Sequence, residues 1–364
     1  MSSLTTEPPA RVGAPGLAEV VGKGSVASTD ANFREQYLPQ MYFSNVRQTS
    51  RLRVLVVSDI HTNVEAIVLL NHWLAEKRIV VDFVLVSGDM ADMDARDQTV
   101  AEKLEGGAGD VSNVLHNLEK IKCRVYYVPG NHDPASTMKL GSPNDHAKLT
   151  PHSTNMHGKA IEIEDGLVLC GFGGSCNAYN SVSGKIRWRG YPYEDETEMQ
   201  QGLGSLMQHV HNNFSKDSQI LLLTHVGPQH AKTTIDRSHA HQSIEEPILT
   251  GSNAIGSILR NGTVNIDLLE NGSSRTNDMA CIVANKTKRI EGKDDSLIDQ
   301  RRIFLNIHGH THESSGECTV GNAKVINPGA LKEGKFVILD MVRKTTAKGS
   351  GKWLVEKTQY YDLF

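Results

Sequence analysis

The sequence predicts an α/β fold that contains a parallel β-sheet, and three observations lead to this prediction. Short apolar runs alternate with segments of helical spacing between residues 54 and 128. The runs are continuous, which is typical of strands that are buried on both faces. Each run is followed by turn residues such as Gly, Asn, Asp or Ser. Strand, helix, strand, helix, strand in this order is the pattern of a parallel sheet.

The first half of the chain supplies the elements of this sheet. Its predicted strands and helices are, in order, 54–57, helix 64–75, 81–86, helix 111–121 and 124–128. The first helix carries Ile67, Leu70 and Leu74 on one side, as a helix that packs on a sheet should.

The second half is richer in strands. A flexible turn is predicted at 173–177. The other predicted elements are a hairpin of 160–163 and 167–171, helices 194–213 and 252–260, and strands 220–223, 302–307, 317–320, 324–326, 336–340 and 353–360.

The folded domain is predicted to span residues 51–364, with a tail before it and a loop insertion within it. Residues 1–50 are rich in Ser, Thr, Pro, Gly and Ala, which predicts a mobile tail. Residues 262–301 mix Asn, Gly, Ser, Lys and Asp and predict a long loop insertion. This insertion could shape the entrance to a site, or it could be a solvated loop without a role.

Composition excludes several classes of function. The 364 residues carry 42 acids and 38 Lys and Arg, a net charge of −4, which indicates no nucleic acid partner and no membrane association. The five cysteines form no CxxC pair and no secretory signal is recognised, which favours reduced thiols and a cytoplasmic location. Protein partners are not indicated by any feature of the sequence.

Five predicted strands end in side chains that can bind metal ions. Ligands of a parallel sheet gather beyond the carboxyl ends of its strands, so these side chains should meet at one edge. Gly88, Gly130 and Gly309 lie where tight turns must bring the backbone close to that edge. The residues at the strand ends are Asp59 with His61, Asp89, Asn131 with His132, His225, and His310 with His312.

The donor types suggest which cations could bind. Carboxylate oxygens and imidazole nitrogens without cysteine fit two divalent cations, with Mn²⁺ the leading choice and Fe, Zn or Co as alternatives. Two such ions lie roughly 3.5–4 Å apart in phosphatase-type sites, where they neutralise phosphoryl charge and activate a water as hydroxide. An imidazole suits protonation of the leaving group on the opposite side.

These residues also resemble a known family in their order along the chain. The resemblance is to the calcineurin-like metallophosphoesterase superfamily, and within it to the class III cyclic-nucleotide phosphodiesterase-like branch. It runs from about residue 53 to 340 and implies a four-layer α/β/β/α sandwich of two mixed β-sheets flanked by helices. The motifs that carry it are Asp59-Ile-His61, Gly88-Asp89, Gly130-Asn-His-Asp133, His225, Gly309-His-Thr-His312 and Asn327-Pro-Gly-Ala330.

The resemblance implies a role for each residue of these motifs. His132 would contact the phosphate and protonate the leaving oxygen, and Asp133 would orient His132. Asp89 would be shared between the two metal ions. The first ion would be held by Asp59, His61, Asp89 and His312, and the second by Asp89, Asn131, His225 and His310.

The implied function is hydrolysis of a small anionic phosphoester, with a phosphodiester as the first choice. Met-Ala-Asp-Met follows Asp89 in place of Asp-Arg-Gly, which argues against a Ser/Thr phosphoprotein phosphatase. A phosphomonoesterase acting on nucleotides or phosphoproteins is the alternative within the enzyme class. A non-catalytic scaffold is the alternative outside it, although such a protein would be expected to lose His132 or several ligands.

Other polar and aromatic residues near these motifs have less certain roles. Strand alternation should direct His308 away from His310, so His308 is left out of the site. Asp92 and Asn63 could support the ligands or could be ordinary surface residues. The aromatic residues that could stack on a base, or only pack under a lid, are Trp188, Tyr191 and Tyr193.

Overall fold

A computed structural model describes most of the predicted domain. The described residues are 50–93, 108–138, 149–193, 195–236, 247–261, 303–345 and 351–364. The predicted tail, apart from residue 50, and the predicted insertion at 262–301 lie outside them.

The first large sheet has six strands around the predicted parallel core. Four of its strands run parallel to one another, and two more strands, each antiparallel to its neighbour, extend the sheet on one side. The order across the sheet is β16 (Gly351–Asp362), β15 (Lys335–Thr345), β1 (Arg51–Val57), β2 (Phe83–Val86), β3 (Arg124–Tyr127) and β4 (Ser153–Asn155).

The second large sheet also mixes a parallel core with antiparallel edges. Its four inner strands are parallel, and the two edge strands are antiparallel to their neighbours. The order is β13 (Gly316–Val320), β14 (Ala323–Asn327), β12 (Ile303–Ile307), β9 (Gln219–Thr224), β6 (Leu167–Phe172) and β5 (Lys159–Glu164).

Helices cover the outer faces of both sheets. Apolar residues of α1 (Val64–Glu76) and α2 (Ala108–Leu118) pack on the first large sheet. Those of α3 (Glu196–Asn213) and α4 (Asn253–Asn261) pack on the second. A third apolar cluster joins the inner faces of the two sheets. The four-layer sandwich is therefore confirmed.

Strand β1 shows why the predicted strands are continuous apolar runs. Leu52, Val54 and Val56 contribute to the cluster between the sheets, whereas Leu55 and Val57 contribute to the cluster under the helices. Because both faces of the strand are buried, alternation of apolar and polar residues is absent from the run.

A small third sheet was not predicted. It has four strands in the order β10 (Ile235–Asp236), β11 (Ile248–Leu249), β7 (Ala178–Asn180) and β8 (Ile186–Trp188). These strands have two or three residues each, which is too short for a period of two to be recognised in the sequence. We call it the small sheet below.

Two further features complete the fold. The second predicted helix ends earlier than 121, because residues Glu119–Ile121 form a 3₁₀ turn before the left-handed Lys122. Among the described residues, no helix is both long enough and apolar enough to cross a bilayer.

The layer between the sheets gives a stability prediction. Leu305 of β12 is fully buried there, whereas Leu69 of α1 is 39% exposed. We expect Leu305→Ala to lower the free energy of unfolding by about 2–5 kcal/mol, because it leaves a cavity in a packed core. Leu69→Ala should change it by less than about 1 kcal/mol. Urea unfolding measures both, and equal losses would contradict the proposed position of the core.

Candidate metal centre

The strand ends of both large sheets meet at one edge of the sandwich. Asp59 follows β1, and its backbone N–H donates to Gly88 O at 3.0 Å. Gly88 lies just after β2, next to Asp89. In the second sheet, Gly309 N donates to His225 O at 2.9 Å. A hydrogen bond of 3.1 Å from His310 N to Asp59 Oδ2 joins the two sheets.

Among the described residues, three groups of side chains at this edge have the geometry of cation ligands, with one ligand atom of each member within 4.8 Å of the others. The first two match the predicted ligand sets and are Asp59 with His61 and His312, and Asp89 with His225 and His310. The third is His61 with Asp92 and His132. Asn131 joins the second group, with its Oδ1 2.9 Å from His225 Nε2.

Asp89 lies between the two groups. Its Oδ2 is 3.3 Å from His225 Nε2 and 3.8 Å from His61 Nε2. Its Oδ1 accepts the backbone N–H of His132 at 2.8 Å. One carboxylate oxygen therefore faces ligand atoms of both groups, as a bridging ligand would.

Two of the imidazoles are oriented by hydrogen bonds on their outer nitrogens. His225 Nδ1 lies 2.7 Å from Ser87 O, a contact in which the ring nitrogen must donate. His61 Nδ1 lies 2.8 Å from Asp92 Oδ1. The contact of His61 leaves its Nε2 lone pair free to face the centre, and this buried nitrogen has no hydrogen-bond partner among the described residues. The contact of His225 turns its Nε2 toward Asn131 Oδ1 and Asp89 Oδ2.

The two carboxylates remain ionised although both are buried. Burial opposes ionisation of Asp59, but the charge and hydrogen bond of His312 outweigh it and hold the pKa of Asp59 well below its usual value. Burial likewise opposes ionisation of Asp89, and His225 keeps the pKa of Asp89 well below its usual value.

The histidines divide into two electrostatic types. Burial would lower the pKa of His225, but Asp89 and Asp59 raise it to about 9. Burial and the neighbouring charge of His225 lower the pKa of His310 to about 3. Burial also lowers the pKa of His61. His61 and His310 are therefore neutral near pH 7, the state in which imidazole binds metal ions.

His132 is the most exposed of these imidazoles. Its side chain is 32% exposed, compared with 7% for His61 and 0% for His225. Its Nδ1 lies 3.9 Å from Asp92 Oδ1, so Asp92 faces the rings of both His61 and His132. This position is open to a ligand that approaches from solvent.

The contacts of Asp133 differ from the expected orientation of His132. Its Oδ1 accepts the backbone N–H groups of Met90 and Ala91 at 2.9 and 2.7 Å, and its Oδ2 accepts that of Gly130 at 2.7 Å. Asp133 is buried, and it accepts these hydrogen bonds from the loop after β2 and from the loop after β3. Asp133 therefore fixes the loops that carry Asp89 and Asn131, and the carboxylate nearest to the His132 ring is Asp92.

Other residues considered from the sequence have structural contacts. His308 is buried and its Nε2 lies 2.8 Å from Thr233 Oγ1, away from the two groups as expected. Asn63 caps α1 by accepting Ala66 N at 3.1 Å. Tyr193 stacks on Phe172 in the core, which is a packing role.

Close backbone approach at the centre requires glycine at two positions. A Cβ on Gly309 would overlap Ser58 Oγ and crowd Asp59 Oδ2, and one on Gly130 would overlap Asp89. The surrounding loops also hold non-glycine residues in the left-handed region, which is uncommon and clusters at functional sites. These residues are Asp59, His61, Thr62, Asp89 and His310, with φ of 52°, 47°, 60°, 52° and 67°.

Comparisons with known proteins agree with this architecture. A family model described as calcineurin-like phosphoesterase matches residues 52–314. No curated protein sequence matches the chain. One solved structure covers 84% of this chain and 100% of its own, with 14% identity and a TM-score of 0.50. At this identity the likeness concerns the fold alone.

Two other solved structures align over similar lengths. The protein TT1561 of Thermus thermophilus is 14% identical to this chain, with a TM-score of 0.45. The alignment covers 86% of this chain and 99% of the TT1561 chain. A dimetal phosphatase from Danio rerio is 12% identical over the same shares, also with a TM-score of 0.45.

The contacts of Gly309 give a second prediction. Gly309→Ala should lower the free energy of unfolding by about 1–3 kcal/mol, because the added methyl group must displace the loop after β1. Gly109 of α2 is the matched control, since a Cβ there meets no atom within 4 Å. Gly109→Ala should stabilise by about 0.5–1 kcal/mol. Urea unfolding tests both, and a Gly309→Ala protein as stable as wild type would refute the close approach.

Proposed function

The chain belongs to the calcineurin-like phosphoesterase family, and from this premise we propose that it hydrolyses phosphoesters with two divalent cations. One observation carries the proposal, namely the pair of ligand groups that face a shared carboxylate, Asp89. Such a pair matches the chemistry of phosphoester hydrolysis, in which two cations flank the reacting phosphorus.

The donor set fits two divalent cations. We assign Asp59, His61, Asp89 and His312 to the first ion and Asp89, Asn131, His225 and His310 to the second. The unpartnered Nε2 of His61 supports this assignment, as does the position of His225 Nε2 beside the oxygens of Asp89 and Asn131. Oxygen and nitrogen donors without cysteine fit Mn²⁺, Fe, Zn or Co, and Mn²⁺ is our first choice. Bound cations would neutralise phosphoryl charge and lower the pKa of a water.

His132 is proposed as the acid that protonates the leaving oxygen. Its exposed ring is the part of the centre that a substrate could touch, and it neighbours the ligand His61 with ring centroids 5.0 Å apart. Asp92 Oδ1 lies 3.9 Å from His132 Nδ1, so a carboxylate stands beside the proposed acid. The backbone N–H of His132 is held by Asp89, so the acid and the shared ligand keep a fixed separation.

Small anionic phosphodiesters are the proposed substrates, by analogy with the branch that the sequence resembles. A phosphomonoesterase is the rival within the enzyme class. A non-catalytic scaffold is the rival outside it, and the retention of His132 and of all seven ligands disfavours it. Location in the cytoplasm remains part of the proposal.

One assay separates these functions. The full-length protein, loaded with Mn²⁺, is given bis(p-nitrophenyl) phosphate, p-nitrophenyl phosphate and a panel of cyclic nucleotides. Faster turnover of the diesters supports a phosphodiesterase, and faster turnover of the monoester supports the rival. If two equivalents of Mn²⁺ bind but no ester is hydrolysed, the scaffold is the correct function.

The shared ligand gives a third prediction. Asp89→Ala should abolish turnover and reduce bound Mn²⁺ below two per chain, because it removes a ligand from both ions. Asp217, which is exposed on the loop before β9, provides the control, and Asp217→Ala should leave both quantities unchanged. Metal analysis after gel filtration measures loading. Full loading of the Asp89→Ala protein would show that Asp89 is not shared.

The proposed acid gives a fourth prediction. His132→Ala should retain Mn²⁺ binding and lose roughly 10²–10⁴-fold in kcat, as general acid catalysis predicts. His152→Ala, which changes an exposed histidine before β4, is the control and should keep wild-type kcat. A His132→Ala protein with wild-type kcat on poorly activated esters would mean that another group supplies the proton.

A further inference from the structure

A buried pair of threonine hydroxyls lies beside the last two proposed ligands. Thr250 follows β11 of the small sheet, and Thr311 lies between His310 and His312. Thr250 and Thr311 are 1% and 3% exposed, and their Oγ1 atoms are 2.6 Å apart. This contact joins the small sheet directly to the metal centre.

The direction of this hydrogen bond follows from the proton count. Thr250 Oγ1 also lies 3.0 Å from the carbonyl oxygen of Thr234, which can only accept. A hydroxyl has one proton to donate, so Thr250 gives its proton to Thr234 O. Thr311 must then donate to Thr250 Oγ1. Without the Thr250 hydroxyl, the buried hydroxyl of Thr311 loses its acceptor.

Thr311 is held on all of its polar groups. Its N–H donates to Gly309 O at 2.8 Å, and its carbonyl oxygen accepts Asn327 Nδ2 at 2.8 Å. The hydroxyl bond to Thr250 is the contact that uses its side chain. His310 next to it has a φ of 67°, so this loop adopts a backbone conformation that needs support from its surroundings.

The small sheet supports the same loop at a second point. Ser314 Oγ donates to Ile235 O of β10 at 2.6 Å, two residues after His312. Thr250 N donates to Thr234 O at 3.1 Å, which holds Thr250 against the turn that leads into β10. Contacts from β10 and from the end of β11 thus bracket the segment that carries His310 and His312.

We propose that Thr250 is a positioning residue for the metal centre. Its hydrogen bond with Thr311 fixes the loop of His310 and His312, so that one ligand of each proposed cation is held in place from the small sheet. The inference rests on the proposed function, since it assigns Thr250 to the same two cations. Removing a hydrogen bond made directly to a metal ligand typically costs roughly 10–100-fold in metal affinity, and a bond to the residue beside two ligands should cost the lower end of that range.

The test compares isosteric and conservative variants of the full chain. Metal-free Thr250→Val, which replaces the hydroxyl by a methyl group, should bind Mn²⁺ about tenfold more weakly than wild type in calorimetry. Thr250→Ser keeps the hydroxyl and should bind within about twofold of wild type. Thr150→Val is the matched control, because Thr150 is also buried and its hydroxyl donates a hydrogen bond to Glu119. Thr150 precedes β4, whereas the candidate centre lies beyond the carboxyl ends of the strands. Thr150→Val should lower the melting temperature without weakening Mn²⁺ binding.

A second variant protects the test against misfolding. Thr311→Val removes the same hydrogen bond from the donor side, so it should also weaken binding, but by no more than Thr250→Val, because Thr250 still donates to Thr234 O. Thr250→Val combined with Thr311→Val should cost no more than the larger single loss. Wild-type affinity in a folded Thr250→Val protein, or Ser and Val variants that are equally impaired, would overturn the proposal.

The outcome can be separated from that of the proposed function. If wild type binds Mn²⁺ but hydrolyses no ester, the hydrolase fails, while the difference in affinity between Thr250→Val and Thr250→Ser still supports the positioning role. If wild type hydrolyses esters and the Thr250 variants bind Mn²⁺ equally, only the positioning role fails. Absence of Mn²⁺ binding by wild type would overturn both.

Discussion

The structure depends on the burial of two ionised carboxylates, Asp59 and Asp89, at the meeting edge of two sheets. Moving a charge from water into a protein interior is costly unless partners compensate for it. The partners here are His312 and His225, together with the backbone N–H groups of His310 and His132. Asp59 and Asp89 follow strands of the first sheet, whereas His225, His310 and His312 follow strands of the second. One sheet alone would therefore leave each carboxylate without its histidine partner.

The loops at this edge are shaped to serve the carboxylates. Asp133 joins the loop after β2 to the loop after β3 through three backbone amides. Burial and the nearby Asp89 raise the pKa of Asp133 to about 7, and the amide hydrogen bonds oppose this rise. Left-handed residues and closely packed glycines occupy the same loops. Local strain is thus concentrated where the ligands must converge, and the core beneath is regular.

The imidazoles of the candidate centre differ in exposure. The ligands His61 and His225 are buried and oriented by contacts on their outer nitrogens, whereas His132 is accessible. Asp92 faces both His61 and His132 and is itself 62% exposed, so it lies at the boundary between the two regions. The small sheet contacts the loop that carries His310 and His312, at Thr311 and Ser314. His132 and His312, with side chains 32% and 25% exposed, are the imidazoles that solvent reaches most readily.

Much of this protein follows from the sequence by itself. Continuous apolar runs predict strands buried on two faces, and the polar residues that end five of these runs predict one shared edge. These signals are local, because a strand and its terminal residue are neighbours in the chain. The resemblance to a family supplied the four-layer arrangement and the ligand groups, and the structure brings these residues together.

Contacts between distant segments were decided only by the tertiary structure. No periodic signal in the sequence predicts the small sheet. The same holds for the hydrogen bonds from backbone amides to Asp133 and for the contact of Asp92 with His61. The bond between Thr250 and Thr311 joins residues 61 positions apart. Such pairs depend on how the sheets and loops pack, because packing brings residues that are distant in the chain within hydrogen-bond distance.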